Sequence, residues 1–132
     1  MFAEIPIRTH SQTEFIRIDA EVQKVVNTSG VQKGICLIFA PHTTAGITIN
    51  ENADPNVVRD IIMETIKMIP FEDGYHHAEG NSAAHIKSSL FGPSEAIIIQ
   101  NGRLKLGTWQ SIYFCEFDGP RHRKAWIQIV GE

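Results

Sequence analysis

The stretch GICLIFAPHTTAGITINENADP, residues 34–55, contains the succession of elements that decides the fold. Its first seven residues form a continuous apolar run, which predicts a strand buried on both faces. Ile47 and Ile49 alternate with polar neighbours and predict a second, half-buried strand. Asp54 is suited to cap a helix whose first position is Pro55. The stretch therefore predicts two strands followed directly by a helix.

The flanking segments extend this pattern to both ends of the chain. Upstream, a strand around Phe15 precedes a short helix that Asp19 is predicted to cap. Downstream, a polar loop over residues 70–82 leads into a second short helix, with Ser82 as its predicted cap. Asn101-Gly102 between apolar runs predicts a β-hairpin. Strands at both ends with helices between them indicate an α+β fold: a single compact domain, residues 1–132, with mixed or antiparallel sheets and two to three helices.

Composition excludes several classes of protein. The 132 residues include 12 basic and 15 acidic side chains, for a formal net charge of −3. This balance argues against a protein that binds nucleic acid or an anionic membrane through bulk charge. The two cysteines form no CxxC motif, and no signal-peptide pattern or long apolar span occurs. We therefore expect a cytoplasmic protein that engages neither nucleic acid nor membrane.

Histidine is the residue type that points to chemistry. Of six histidines, His42 follows a predicted buried strand, His76 and His77 lie in the long polar loop, and His85 lies on the short helix. Three imidazoles from three segments would suit a tetrahedral zinc site with one open position. The alternative is a set of histidines that bind backbone carbonyls or exchange protons without a metal.

The start of the short helix is a candidate anion site. Its first N–H groups, with the side chains of Asn81 and Ser82, are suited to a phosphate. Lys87 and Ser88 follow one turn later. Further cations come from the β region, among them Arg121. The alternative is ordinary helix capping by Ser82 with a solvated lysine.

Two further segments carry polar groups next to predicted strand ends. Glu51 precedes the capped helix, where a carboxylate is suited to orient an imidazole or to hold Mg²⁺ through water. The sequence Gly107-Thr108-Trp109-Gln110 combines a stacking face with a hydroxyl and an amide. The alternatives are an exposed loop acid and a core tryptophan.

Three segments of the chain resemble a known family. PHTTAGITINENADPNVVRD, EGNSAAHIKSSLFGPS and GRLKLGTWQSIYFCEFDGPR occur in the order and spacing of the YjbQ-like family, whose members are named secondary thiamine-phosphate synthases. The resemblance implies a homotrimer with histidine-bearing clefts near its interfaces. It also makes His42, His76 and His85 the favoured metal ligands, since His77 is not a recurrent position.

The resemblance implies a synthase that couples a pyrimidine methyl diphosphate to a thiazole phosphate and releases pyrophosphate. Under this interpretation His42, Glu51, His85 and Lys87 are catalytic. The substrate-binding residues are Asn81, Ser82, Ser88, Thr108, Trp109 and Arg121. A divalent metal is expected, either zinc at the histidines or magnesium with the diphosphate, and no organic cofactor. The alternatives are a zinc-dependent hydrolase of a small metabolite and a non-catalytic trimeric protein that binds a small anionic or phosphorylated metabolite.

Overall fold

The computed structural model describes all 132 residues. The chain forms, in order, β1 (Phe2–Arg8), β2 (Glu14–Arg17), α1 (Asp19–Ser29), β3 (Lys33–Phe39), β4 (Ala45–Glu51), α2 (Pro55–Met68), α3 (Ser82–Phe91), β5 (Ser94–Gln100), β6 (Arg103–Leu104), β7 (Gln110–Glu116) and β8 (His122–Gly131). No helix is both long enough and apolar enough to cross a membrane.

The strands form two antiparallel sheets. A five-stranded sheet has the order β1-β8-β3-β5-β6, and a three-stranded sheet has the order β2-β7-β4. The inner faces of the two sheets and one side of α1 enclose the main core, which includes Val22, Ile38, Ile47, Phe114 and Ile127. This arrangement confirms the predicted α+β class with antiparallel sheets and three helices.

The central strand of the small sheet, β7, is buried on both of its faces. Ile112 and Phe114 face the main core, whereas Tyr113 and Cys115 belong to a second apolar cluster together with Ala84 of α3. The prediction of burial on both faces for residues 34–40 is wrong. Side chains alternate across a strand, and the outward ones of β3, Ile35 and Leu37, are exposed because no layer of the chain covers that face.

Hydrogen bonds at two helix starts differ from the predicted caps. Asp19 is the first residue of α1, and its carboxylate accepts hydrogen bonds from the Ile112 N–H and the Ser111 hydroxyl, both at 2.6 Å. It therefore ties the helix to β7. In α3 the capping position is Asn81, and Ser82 is the first helical residue. The cap of α2 is confirmed, since Asp54 accepts from the N–H of Asn56 at 2.9 Å.

The hairpin turn at Asn101-Gly102 agrees with the prediction, whereas the N-terminal strand was not predicted. Asn101 and Gly102 both have positive φ, 53° and 73°, as the predicted two-residue hairpin turn requires. The N-terminal segment carries a strand that the sequence analysis did not predict. Residues Phe2–Arg8 pair with β8 along their whole length, because the large sheet offers an open edge there.

Candidate functional site

An open cleft of about 710 Å³ lies where three polar segments meet. These are the loop after β3, the start of α3, and the turn between β7 and β8. His42, His77, Asn81, His85 and Arg121 line the cleft. Its size falls within the usual range for small-molecule sites, which is about 300–1,000 Å³. The fold thus brings together three of the histidines and the helix start that the sequence singled out.

His42 is held by the backbone of β8. Its Nε2 lies 3.1 Å from both the N–H and the carbonyl oxygen of Lys124, so it accepts or donates according to its tautomer. Burial lowers the pKa of His42 below its usual value, and the positive charge of Arg123 lowers it further. The imidazole is therefore neutral at pH 7 and provides a nitrogen lone pair.

Asp118 orients two of the other polar groups in the cleft. Its Oδ2 accepts a hydrogen bond from Asn81 Nδ2 at 2.9 Å and one from the Arg121 guanidinium at 3.0 Å. The guanidinium Nε also donates to the Asp118 carbonyl at 2.7 Å. Arg121 keeps further N–H donors for a ligand, because a guanidinium carries five. Asp118 therefore positions a cation and an amide beside the start of α3.

A buried ion pair supports the cleft from below. Arg123 donates to both carboxylate oxygens of Glu116, at 2.9 and 2.5 Å, and to the Thr44 hydroxyl at 2.8 Å. Glu116 also accepts from the Thr9 hydroxyl at 2.7 Å. Burial alone would raise the pKa of Glu116, but hydrogen bonds from Arg123, Thr9 and the Asp118 N–H, with the charge of Arg123, lower it overall. This pair fixes the segments that carry His42 and Asp118.

His77 and His85 stand together at one side of the cleft. Their ring centres are 5.5 Å apart and the rings are nearly perpendicular, at 86°. Glu79 Oε1 lies 3.9 Å from His77 Nε2. His76, in contrast, does not line this cleft and faces a neighbouring cavity with Ser82. The structure thus pairs His85 with His77, the histidine that the family resemblance set aside.

The predicted metal-ligand set is not assembled within the chain. His42 and His85 share the cleft, but His76 lies outside it. No group of three or more His, Cys, Asp or Glu side chains is placed to hold a metal ion. The residues present therefore do not form a three-ligand site in the single chain.

Lys87 and Ser88 lie on the buried side of α3, away from the cleft. Lys87 has no exposed surface, its Nζ has no hydrogen-bond partner, and it lies 5.2 Å from the centre of the Phe71 ring. Burial lowers the pKa of Lys87. Ser88 donates to the Ala45 carbonyl at 2.6 Å and so joins α3 to β4. In this conformation neither side chain reaches a ligand bound in the cleft.

Glu51, Thr108 and Trp109 lie at the opposite end of the small sheet. Glu51 pairs with Gln110 where β7 begins, whereas the cleft adjoins the other end of β7. A strand of this length separates the two ends by about 20 Å. Trp109 is 61% exposed. Within one chain these residues therefore do not reach a ligand bound in the cleft.

Sequence reasoning missed Glu116 and Asp118 as site-forming residues, and it counted Arg123 only among the cations of the β region. All three belong to EFDGPRHR, residues 116–123, the segment in which β7 ends and β8 begins. An acid-arginine alternation within a turn that joins two apolar strands was the available signal. Glu116 and Arg123 depend on partners more than 70 residues away, Thr9 and Thr44. Asp118 depends on Asn81, 37 residues away, and no local pattern identifies these partners.

The fold and the cleft define a small α+β protein with a histidine-bearing polar cleft at the end of a three-stranded sheet. The chain belongs to the YjbQ-like family: the family model described as "UPF0047 protein YjbQ-like" matches residues 3–132. The resemblance read from the sequence is confirmed.

Relatives and solved structures agree with this assignment over nearly their whole lengths. UPF0047 protein YugU of Bacillus subtilis is 50% identical, with 99% of this chain and 100% of the relative covered. UPF0047 protein MJ1081 of Methanocaldococcus jannaschii is 49% identical, with 100% of this chain and 96% of the relative covered. A crystal structure of a YjbQ/UPF0047 protein from Clostridium acetobutylicum has a TM-score of 0.96 at 56% identity, with 97% of this chain and 99% of that chain covered.

The comparisons overturn the predicted thiamine-phosphate synthase activity. The relatives are named as UPF0047 proteins, and a Sulfolobus solfataricus structure with a TM-score of 0.96 and 33% identity, covering 100% of this chain and 97% of that one, is described as a YbjQ-like protein of unknown function. Nothing in these names points to the synthase. The geometry of the single chain agrees, because six of the ten residues assigned to that reaction lie outside the cleft: Glu51, Ser82, Lys87, Ser88, Thr108 and Trp109.

Proposed function

We propose that this protein binds a small anionic metabolite in the cleft between the start of α3 and the β7–β8 turn. The observation that carries the proposal is the meeting of Arg121, Asn81, His42 and His85 around one cleft of about 710 Å³. The Arg121 guanidinium and the N–H groups of the imidazoles are donors of the kind that bind carboxylate or phosphate groups. The catalytic roles predicted for His42 and His85 stay predictions, and binding is the part of the function that the geometry supports best.

The charges of the cleft limit an anion to a modest size, because Glu79 and Asp118 line it beside the cations. Arg123 is neutralised by Glu116 and takes no part, whereas Arg121 is 52% exposed in its side chain and only partly engaged by Asp118. The first N–H groups of α3 have no acceptor within the helix and add positive potential at the same place. One cation, one helix start and two or three imidazoles suit a single phosphate or carboxylate better than a polyanion.

Asn81 adds a requirement for a hydrogen-bond donor on the ligand. Its Nδ2 is engaged by Asp118, but its Oδ1 is buried without a partner. A buried acceptor left unpaired costs about 1–3 kcal/mol. A ligand hydroxyl, or the O–H of a monoprotonated phosphate, would satisfy this oxygen. We therefore favour a hydroxylated or partly protonated anion.

Calorimetric titration with inorganic phosphate tests the proposal. The wild-type protein is expected to bind phosphate, and His85→Ala to weaken binding about tenfold through the loss of one charge-assisted hydrogen bond. Ser89→Ala is the matched control, because Ser89 is exposed on the same helix and bonds only the His85 carbonyl. No binding by the wild type, or equal weakening by both variants, would contradict the proposal.

We also propose that the chain assembles as a homotrimer, as the family resemblance implied. Ile35 of β3 lies between Ile98 of β5 and Val130 of β8, and these three exposed side chains form an apolar row across the outer face of the large sheet. Helix α2 is amphipathic, yet none of its residues is fully buried. Uncovered apolar surfaces of this kind are typical of protein interfaces.

Light scattering tests the assembly. The wild type is expected to have a mass near three times 14.8 kDa. Ile35→Asp is expected to give the monomer, because a carboxylate in a packed apolar interface is strongly unfavourable. Glu21→Asp, on the exposed side of α1, serves as the control and should keep the wild-type mass. A monomeric wild type would contradict the proposal.

The divalent metal, zinc or magnesium, stays a prediction, as does a cytoplasmic location. The observation that favours a metal is the His77–His85 pair: ring centres of two imidazoles on one tetrahedral zinc ion lie about 5 Å apart, close to the 5.5 Å found here. The remaining ligands would come from the bound anion or from water. Elemental analysis of untagged protein checks this, and a metal content below about 0.2 per chain would contradict it.

A further inference from the structure

A second cavity of about 540 Å³ adjoins the cleft and shares two residues with it. His77 and His85 line both spaces, so the histidine pair forms the boundary between them. Gly74, Tyr75 and Ile86 contribute to the other walls of this second cavity, together with His76 and Ser82. The two spaces therefore adjoin at this pair of imidazole rings.

The two spaces differ in chemistry. The cleft presents the Arg121 guanidinium, the Asn81 amide and the Asp118 carboxylate, whereas the second cavity exposes mainly carbon and is lined by no Asp, Glu, Lys or Arg side chain. Tyr75 turns its hydroxyl away to donate to the Pro70 carbonyl, at 2.5 Å, which leaves its ring as an apolar surface. Ile86 is 37% exposed on α3, one residue after His85.

The geometry points to an amphipathic ligand, whose anionic group lies in the cleft and whose apolar ring or short chain passes the His77–His85 pair into the second cavity. This inference rests on the proposed function and adds the class of ligand. The imidazole rings provide faces and edges that an aromatic ring can pack against, and Tyr75 and Ile86 provide the apolar contacts beyond them. A purely polar anion would leave these contacts unused.

Two phosphate monoesters of equal charge separate the two parts of the site. Methyl phosphate measures binding of the anionic group alone, and phenyl phosphate adds one apolar ring. The wild type is expected to bind phenyl phosphate about tenfold more tightly than methyl phosphate, since burial of a ring of this size removes a large apolar area from water. Calorimetry on the full-length protein gives both affinities.

Paired variants on α3 locate the ring. Ile86→Asn is expected to remove most of the preference for phenyl phosphate while leaving methyl phosphate binding unchanged, which also shows that the variant is folded and its cleft intact. Leu90→Asn is the matched control: Leu90 lies one turn further along the same helix, is 66% exposed, and does not line either space. It should keep the preference.

The outcomes distinguish the two proposals. Equal affinity of the wild type for both esters overturns the inference and leaves the anion cleft in place. A preference for phenyl phosphate that persists in Ile86→Asn also overturns it, because the ring then binds elsewhere. If neither ester binds, the proposed function itself fails and the inference with it. A preference lost in Ile86→Asn and kept in Leu90→Asn supports it.

Discussion

The two ends of the small sheet carry different kinds of polar residues. At one end, β7 leads into Glu116 and Asp118, whose carboxylates hold Arg123, Arg121 and Asn81 around a cleft. At the other end, Trp109 is largely exposed and Glu51 offers its backbone carbonyl to the Tyr113 hydroxyl at 2.9 Å. Both ends hold sequence patterns suggestive of function, but it is the residues at the first end that line the histidine-bearing cleft.

The difference between the two ends shows that a local motif alone does not make a site. Gly107-Thr108-Trp109-Gln110 is conspicuous as a string, yet Gly107 mainly serves a turn in which its N–H donates to the Gln110 side chain at 2.8 Å. The cleft depends on pairs such as Arg123 with Thr44, 79 residues apart. A site needs such convergence, and convergence is a property of the fold.

The largest expected effect is on the buried ion pair at the cleft end. Glu116→Ala leaves Arg123 as an uncompensated buried charge, and removal of one partner of such a pair typically costs about 3–5 kcal/mol. Glu51→Ala, at the far end, should cost less than about 1 kcal/mol. Urea denaturation of the two variants checks the contrast. Equal losses would contradict the asymmetry between the two ends.

Ligand binding should follow the same division. Arg121→Gln is expected to weaken inorganic phosphate binding about tenfold or more, because a charge-assisted hydrogen bond is worth about 1.5–3 kcal/mol. Trp109→Ala should change it less than about twofold. Calorimetry on both variants measures the ratio, and a stronger effect of the tryptophan would move the site to the far end.

Replacement of Lys87 is expected to raise the free energy of unfolding, by less than Glu116→Ala lowers it. Lys87→Met keeps the length of the side chain and removes a buried amine that has no partner. We expect a gain in stability of about 1 kcal/mol and unchanged phosphate binding. If Lys87 instead acts on a ligand, as the sequence suggested, the variant would bind or react differently at equal stability. Thermal unfolding and calorimetry together decide between these outcomes.

The smallest effect expected is the pH dependence due to His42. Its pKa is lowered in the folded protein, so the unfolded chain binds more protons just below the usual histidine value. The free energy of unfolding should therefore fall as the pH drops below about 6.5. His42→Gln should reduce the slope of the free energy of unfolding against pH by the contribution of one titrating histidine. A slope unaffected by the substitution would show that His42 does not titrate as described.

Much of the fold could be predicted from local signals. Asp54-Pro55 determines the start of α2, and Asn101-Gly102 determines the hairpin, because each acts on the backbone of its immediate neighbours. Burial on both faces was assigned to residues 34–40, whereas β7 is the strand with that property. Apolar content alone cannot distinguish the two cases, since the outer face of β3 is as apolar as a buried one.

The candidate site was only partly accessible to prediction. His42, His85, Asn81 and Arg121 were named from the sequence, and all four line the cleft. Whether His76 or His77 lines the cleft could not be predicted from the sequence. Adjacent loop residues point in different directions, and which of them faces α3 depends on the path of the loop. Asp118 and Glu116 act through tertiary contacts, and their one local signal was the alternation of acidic and arginine residues between β7 and β8.

Mapping the ligand on the protein tests the central claim most directly. Titration of inorganic phosphate into ¹⁵N-labelled protein, followed by amide chemical shifts, reports the position of the bound anion. The largest shifts are expected for residues 81–85 and 118–121, with little change for residues 107–110. Largest shifts at residues 107–110, or no saturable shift anywhere, would contradict the assignment of the cleft as the binding site.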